Sequence, residues 1–201
     1  MEFTDILNRR TRKDFDSDHQ ISDEELYKII DAARLTPSSF NIQPWRFVAI
    51  RDRGLKEKIK RVAGDQPQIA VNSVLIAVCA DLNAWNDNPG KYWAANGKDF
   101  ANYMSELTRN FYNNNSQLQR DEAQRSVGMC AMTIMFAATD LGYACNPIVG
   151  YEHDAVASII NLPKNHLIGM LIAIGLSTSE PIPKTVLPRN ETLIYDFFPS
   201  D

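Results

Sequence analysis

Four cationic side chains surround one hydroxyl group near the start of the chain, in the run Arg9-Arg10-Thr11-Arg12-Lys13. Guanidinium groups and a hydroxyl bind a doubly charged phosphate through charge-assisted hydrogen bonds, so the run predicts a phosphate site. Charge alone favours the alternative, a solvated basic patch, because runs of like charge usually lie on exposed surface. The two interpretations differ in whether an anion is bound.

A second polar segment, Pro37-Ser38-Ser39-Phe40-Asn41-Ile42-Gln43-Pro44-Trp45, stands directly before an apolar run. The turn preferences of Ser and Pro explain part of it. They do not explain the Asn, Gln and Trp that precede a buried strand. Small hydroxyl and amide groups can hydrogen-bond the polar edge of a planar ring. The segment therefore predicts a binding loop.

Patterns for other kinds of chemistry are missing from the sequence. It contains no GxGxxG, GxxxxGK[ST], GxSxG, HExxH or CxxC motif. The three histidines, His19, His153 and His166, are far apart and are interpreted as surface or capping residues. The three cysteines lie in apolar surroundings and are interpreted as packing residues. With neither a metal site nor a catalytic side chain indicated, the chemistry is expected to come from an organic cofactor.

Together, the basic run and the Pro37–Trp45 segment resemble the nitroreductase family of flavoenzymes. Arg9 to Phe15 is similar to the family's opening pattern, and Pro37 to Trp45 matches its P-S-S-x-N-x-Q-P-W loop throughout. Asn146-Pro147-Ile148-Val149-Gly150 resembles its flavin-facing P-I-x-G loop. Residues 183–188 resemble its C-terminal basic segment. The likeness covers essentially the whole chain and is weakest over residues 83–115.

The resemblance implies an intertwined homodimer that binds two FMN molecules at the subunit interface and uses NAD(P)H as electron donor. Arg9, Thr11 and Lys184 would hold the FMN phosphate, with Arg10 beside them. Lys13 would face the N1 and C2-carbonyl edge of the ring, and Gln68 would bond its pyrimidine edge. The other residues implied to contact FMN are Pro37, Ser38, Ser39 and Asn41 from the other subunit, and Pro147, Ile148, Val149 and Gly150 near N5.

Two positions depart from the family pattern. Val186 stands where the family often has an arginine, so either Arg189 replaces it or phosphate binding relies more on Arg9 and Arg10. Val149 stands where some members have a glutamate. If this loop contacts FMN through its backbone, a valine in place of the glutamate changes the wall of the pocket and weakens FMN binding little.

The elements that would position these residues follow from hydrophobic spacing and end signals. Ser22 and Glu25 form a capping box, which predicts a helix from about Asp23 to Leu35 that Pro37 ends. Thr4 is expected to cap a short earlier helix that ends near Asn8. Further helices are predicted over residues 54–63, 120–141 and 154–160, and along Phe100, Met104, Leu107 and Phe111.

Strands are predicted at residues 45–50, 74–79 and 167–174, with the second buried on both faces. Helices between strands predict one α+β layered domain over residues 1–201, with a small central sheet flanked by helices. The tail from Pro181 is expected to be extended. Its late apolar residues, from Leu193 to Phe198, need a surface to cover, which a partner subunit would supply.

Composition narrows the partners. A formal net charge of −4 gives no reason to expect nucleic acid. The most apolar window, residues 127–141, is too short to span a bilayer. The acidic N-terminus is unlike a signal peptide, so a cytoplasmic protein is expected.

The expected activity is ping-pong transfer from NAD(P)H through FMN to a small acceptor, such as a nitroaromatic compound, a quinone or a free flavin. One alternative is another flavin-dependent branch of the fold, acting as a dehydrogenase or dehalogenase. Another is a dimeric flavin-binding or sensor protein without turnover. The sequence does not distinguish NADH from NADPH.

Overall fold

The fold is built on a four-stranded antiparallel sheet with strand order β1-β2-β4-β3. The structure is a computed structural model that describes Thr4 and residues 8–198. The strands are β1 (Trp45–Ile50), β2 (Val74–Asp81), β3 (Ala144–Ile148) and β4 (His166–Gly175). The predicted α+β layered class and the three predicted strands are confirmed. β3 was not predicted as a strand.

Strand β2 lies at the centre of the core, and both of its faces are covered. Its alternate residues point to opposite sides of the sheet. Val74, Ile76 and Val78 pack into one buried cluster, and Leu75 and Ala77 pack into the other. The continuous apolar run is therefore explained by burial on both faces.

The helices divide between these two faces. α1 (Asp23–Arg34) and the long α5 (Ser116–Asp140) supply the first cluster. α2 (Arg53–Arg61), α3 (Gln68–Val71) and α6 (His153–Ile159) supply the second. The remaining helices are α4 (Lys98–Tyr112) and the short α7 (Arg189–Thr192). Short 3₁₀ turns occupy Ser39–Asn41 and Pro89–Asn96.

The capping box predicted at the start of α1 is present. Ser22 Oγ accepts a hydrogen bond from Glu25 N at 3.2 Å, and the Glu25 carboxylate accepts one from Ser22 N at 3.1 Å. Gly142 follows α5 with φ near +86°, the left-handed conformation that suits glycine after a helix. Of the earlier helix predicted near Thr4, only Thr4 and Asn8 are described, both helical, and residues 5–7 lie outside the described part.

Two local predictions were wrong. Residues 146–148, predicted as loop, are part of β3, where Pro147 lies opposite Ile172. β3 is an edge strand with a neighbouring strand on one side only. Proline is tolerated in edge strands because the hydrogen bond that its missing N–H would donate is not needed towards the open side. The tail is extended only as far as Pro188, after which α7 forms one helical turn.

Helix α4 is present where it was predicted, but its apolar residues do not face the core of the described chain. Phe100, Leu107 and Phe111 are exposed, whereas Thr108 and Tyr112 are buried. The tail residues Leu193, Ile194, Tyr195, Phe197 and Phe198 are exposed as well. Both sets of side chains leave apolar surface uncovered in a single chain.

Candidate functional site

The basic run lies beside edge strand β3. Thr11 forms a bridge pair with Cys145, and Arg12 N donates to the Cys145 carbonyl at 3.2 Å. Phe15 forms a second bridge with Ser177, just beyond β4. In such extended pairing, alternate side chains point to opposite sides. The side chains of Arg9 and Thr11 can therefore lie on the same side of the extended segment. Arg12 lies on the other side, where its Nη1 donates to Ser177 Oγ at 3.3 Å.

A cavity of about 550 Å³, called here the basic cavity, brings the start and the tail of the chain together. It is lined by Arg9, Arg10, Thr11, Met132, Phe136, Ile182, Pro183, Lys184 and Val186. Its cations come from positions more than 170 residues apart in sequence, so only folding joins them. The arrangement supplies ammonium, guanidinium and hydroxyl donors to one space, which is the donor set for a phosphate.

Arg9 is the residue of this cavity whose bonding is incomplete. Its Nη1 atom is buried and has no hydrogen-bond partner among the described residues. A buried donor without an acceptor costs roughly 1–3 kcal/mol, and more when the group is charged. An anion within reach of Nη1 would supply the missing acceptor, and Arg9 itself lines the basic cavity.

The lining of the basic cavity includes only one of the two tail positions that the sequence left open. Val186 lines it, whereas Arg189 does not. Lys13 is exposed and is also not among the lining residues. The described chain therefore gathers Arg9, Arg10, Thr11 and Lys184, and leaves Lys13 outside that group.

The Pro37–Asn41 segment keeps a constrained shape away from the basic cavity. Ser38 Oγ accepts from Gln43 N at 3.0 Å, and Asn41 N donates to the Ser38 carbonyl at 2.9 Å. Phe40 and Asn41 have φ near +51° and +54°, which are uncommon for residues with a side chain. The Phe40 ring, 5.0 Å from that of Phe111 in α4, holds the turn in place.

The segments predicted to face the flavin ring meet at a glutamine that was not predicted as a site residue. Gln66 Nε2 donates to the Val149 carbonyl at 2.9 Å, and Gln66 Oε1 accepts from Gln68 Nε2 at 2.9 Å. Gly150 has φ near +78°, so this exposed turn after β3 favours glycine. The structure thus places Gln68 near Val149 and Gly150. The sequence feature that could have identified Gln66 is its position two residues before Gln68.

The described residues offer no activated thiol. Burial raises the pKa of Cys79 to about 11 and the pKa of Cys130 and Cys145 to about 12. All three are free and buried, as predicted for packing residues. Within the described ranges, no group of three or more His, Cys, Asp or Glu side chains could hold a metal ion, and no helix is long and apolar enough to cross a membrane.

Comparison with known proteins identifies the family. Residues 6–176 match the model of the nitroreductase family. The protein DrgA of Synechocystis sp. is 43% identical over 178 residues, which cover 89% of this chain and 85% of DrgA. MhqN of Bacillus subtilis, named as a candidate NAD(P)H nitroreductase, is 32% identical over 186 residues, covering 89% of this chain and 90% of MhqN.

A solved structure agrees with these matches. It is a candidate nitroreductase of Exiguobacterium sibiricum in complex with FMN, with a TM-score of 0.91 and 29% identity, covering 98% of each chain. The chain belongs to the nitroreductase family. The family and fold predicted from the sequence are confirmed.

The pKa values of the cysteines lead to a prediction about reactivity. At about pH 8 an unperturbed thiol is partly ionised, whereas thiols with pKa values of about 11 to 12 are almost entirely protonated. We expect the native protein to leave Ellman's reagent unreacted, and the protein unfolded in guanidinium to release three equivalents, one for each cysteine. Rapid release of one equivalent from native protein would contradict this.

Proposed function

We propose that this chain is an FMN-dependent NAD(P)H oxidoreductase that passes electrons to a small acceptor, such as a nitroaromatic compound, a quinone or a flavin. Membership of the family supports the class of enzyme. FMN in the Exiguobacterium sibiricum structure supports the cofactor, and the name of MhqN supports NAD(P)H as donor. The observation that carries the proposal is the buried, unpartnered Nη1 of Arg9, a residue that lines the basic cavity.

In this proposal the basic cavity holds the FMN phosphate. Arg9 and Thr11 would donate hydrogen bonds to its oxygens, and Arg10 and Lys184 would add positive charge. Since Val186 contributes no charge and Arg189 lies outside the lining, phosphate binding would rely on Arg9 and Arg10 rather than on a second tail cation. Arg10 Nη1 also donates to the Arg9 carbonyl at 2.9 Å, which ties the two residues together.

The ring would lie against Gln68 and the end of β3. When bound, FMN supplies a ring nitrogen that takes hydride from NAD(P)H and returns electrons to the acceptor. Gln68 would bond the pyrimidine edge, and Pro147, Ile148, Val149 and Gly150 would form the surface near N5. Lys13 would add positive charge at the N1 edge. These residues hold and orient, and we assign no side chain as a catalytic acid or base.

The active unit is proposed to be a homodimer of this single-domain chain. The exposed apolar residues of the tail, from Leu193 to Phe198, and of α4 would be covered by the partner. Pro37, Ser38, Ser39 and Asn41 lie outside the basic cavity, so they would complete the site of the other subunit. Free, buried thiols suit a reducing compartment, and we propose the cytoplasm.

The visible spectrum of the purified protein tests the activity. We expect a yellow protein with a flavin spectrum that bleaches on anaerobic addition of NADH or NADPH and recovers when a quinone is added. A protein that binds FMN but is not bleached by either nucleotide would be a flavin-binding protein without turnover. A colourless protein that does not take up FMN would contradict the proposal.

Replacing Arg9 tests the phosphate site. Arg9→Ala should weaken FMN binding by roughly 1–3 kcal/mol, the scale of one lost charge-assisted hydrogen bond. Fluorescence quenching of FMN titrated with flavin-free protein measures the change. Arg120→Ala, at an exposed position near the start of α5 and outside the basic cavity, is the matched control and should bind FMN like the wild type. Equal affinities for all three proteins would remove Arg9 from the phosphate site.

The tail is tested by its effect on association. We expect wild-type protein to sediment at twice the chain mass of 22.7 kDa. Phe197→Ser combined with Phe198→Ser should shift the protein toward the monomer at low micromolar concentration, because both rings are largely exposed in one chain and would be buried in the dimer. A wild-type protein that sediments as a monomer at all concentrations would contradict the dimer.

A further inference from the structure

The carboxamide of Gln66 can adopt only one orientation. Its Nε2 atom lies 3.0 Å from the Ala63 carbonyl, 2.9 Å from the Val149 carbonyl and 3.5 Å from the Gly150 carbonyl. Carbonyl oxygens only accept hydrogen bonds, so the nitrogen of the amide must face them. Gln66 Oε1 therefore faces away from these carbonyls, towards Gln68.

That orientation sets the amide of Gln68 in turn. Gln68 Nε2 lies 2.9 Å from Gln66 Oε1. Because an amide oxygen cannot donate, Gln68 must present its NH₂ group there, and its own oxygen points elsewhere. No hydrogen bond from the described residues to Gln68 Oε1 is present. Gln68 is only 2% exposed, so its side chain has little room to turn.

The backbone beneath Gln68 is held as firmly. Asn72, directly after α3, donates from Nδ2 to the carbonyls of Gln68 and Ile69, at 2.7 and 2.8 Å. The buried ammonium of Lys56 in turn donates to the Asn72 carbonyl at 2.5 Å. Position and amide orientation of Gln68 are thus both fixed before any ligand binds.

Gln66 also joins two segments that are far apart in sequence. Val149 and Gly150 follow edge strand β3 and are exposed, so few other contacts restrain them. A further bond, from Glu152 N to the Val62 carbonyl at 2.8 Å, holds the same turn close to the segment that carries Gln66. These hydrogen bonds therefore connect the end of β3 to the segment that leads into α3.

We propose that Gln66 is a positioning residue of the flavin site. It turns Gln68 so that Oε1 is left as the acceptor for the N–H of the ring's pyrimidine edge, and it holds the Val149–Gly150 backbone against the same ring. Gln66 itself need not touch the flavin. The inference rests on the proposed FMN function and adds to it a residue that acts through Gln68.

A double-mutant cycle tests the action through Gln68. Gln66→Met keeps the size of the side chain and removes the hydrogen bond from Gln68 together with those to the backbone carbonyls, so the FMN dissociation constant should rise about five- to tenfold. In a Gln68→Met background the same change should raise it only about twofold, since the bond between the two amides is already absent and only the bonds to the backbone carbonyls are then lost. Equal factors in the two backgrounds would overturn the proposal. Gln20→Met, at an exposed glutamine, is the control and should not change binding.

The spectrum of bound FMN gives a readout that a loss of stability alone would not move. Hydrogen bonding at the pyrimidine edge shifts the visible absorption bands of a flavin. Gln66→Met and Gln68→Met should shift them in the same direction, and the double variant no further. An unchanged spectrum in Gln66→Met, with a shifted one in Gln68→Met, would show that Gln66 does not orient Gln68.

The flavin-free protein tests the second part of the proposal without FMN. Amide hydrogen exchange at residues 149–152, measured by mass spectrometry, should be faster in Gln66→Met than in the wild type and unchanged in Gln20→Met. Exchange that is equal in all three would overturn the role of Gln66 at this turn. If the wild type fails to bind FMN, the proposed function fails, while this comparison still decides whether Gln66 holds the turn.

Discussion

A buried guanidinium nitrogen needs an acceptor, and the Nη1 of Arg9 has none within the described residues. Leaving such a donor unpaired costs free energy that a folded chain must recover elsewhere. The simplest recovery is an anion that arrives with a ligand. The basic run beside β3 and the tail around Lys184 together line a cationic cavity that includes Arg9.

The rest of the site depends on rigid hydrogen bonding rather than on reactive side chains. The cysteines are held protonated by burial, and the segments that we propose to face the ring are joined by amide groups whose orientation is determined by backbone carbonyls. Such a site is suited to a cofactor that carries its own chemistry, since the protein then has only to position the ring and set its surroundings.

The exposed apolar surfaces of a single chain support the proposed homodimer. Phe111 and Phe100 in α4, and Phe197 and Phe198 in the tail, remain exposed although the core has two well-filled clusters. A protein rarely leaves this much aromatic surface in water. The Pro37–Asn41 turn is connected to one of these surfaces through the contact of Phe40 with Phe111. A change at the dimer interface would therefore reach the loop that we assign to the partner's flavin.

The sequence alone determined the features that depend on neighbouring residues. The capping box at Ser22, the stop at Pro37 and the doubly buried strand β2 follow from local spacing, and each was predicted correctly because the interactions span a few residues. The motifs around Arg9 and Ser38 also identified the family. The phosphate and ring roles of their residues were implied by that resemblance, and local spacing did not show where in space the two segments would lie.

Tertiary structure decided everything that depends on residues distant in the chain. Residues 146–148 were predicted as a loop because they resemble the family's P-I-x-G loop, and only their pairing with β4 at the edge of the sheet makes them strand β3. Lys184 and Arg9 line one cavity although most of the chain separates them in sequence, and Gln66 bonds Val149, which lies 83 residues further along the chain. The physical reason is that a hydrogen bond depends on distance and direction in space, and sequence spacing fixes these only within a single helix, turn or strand.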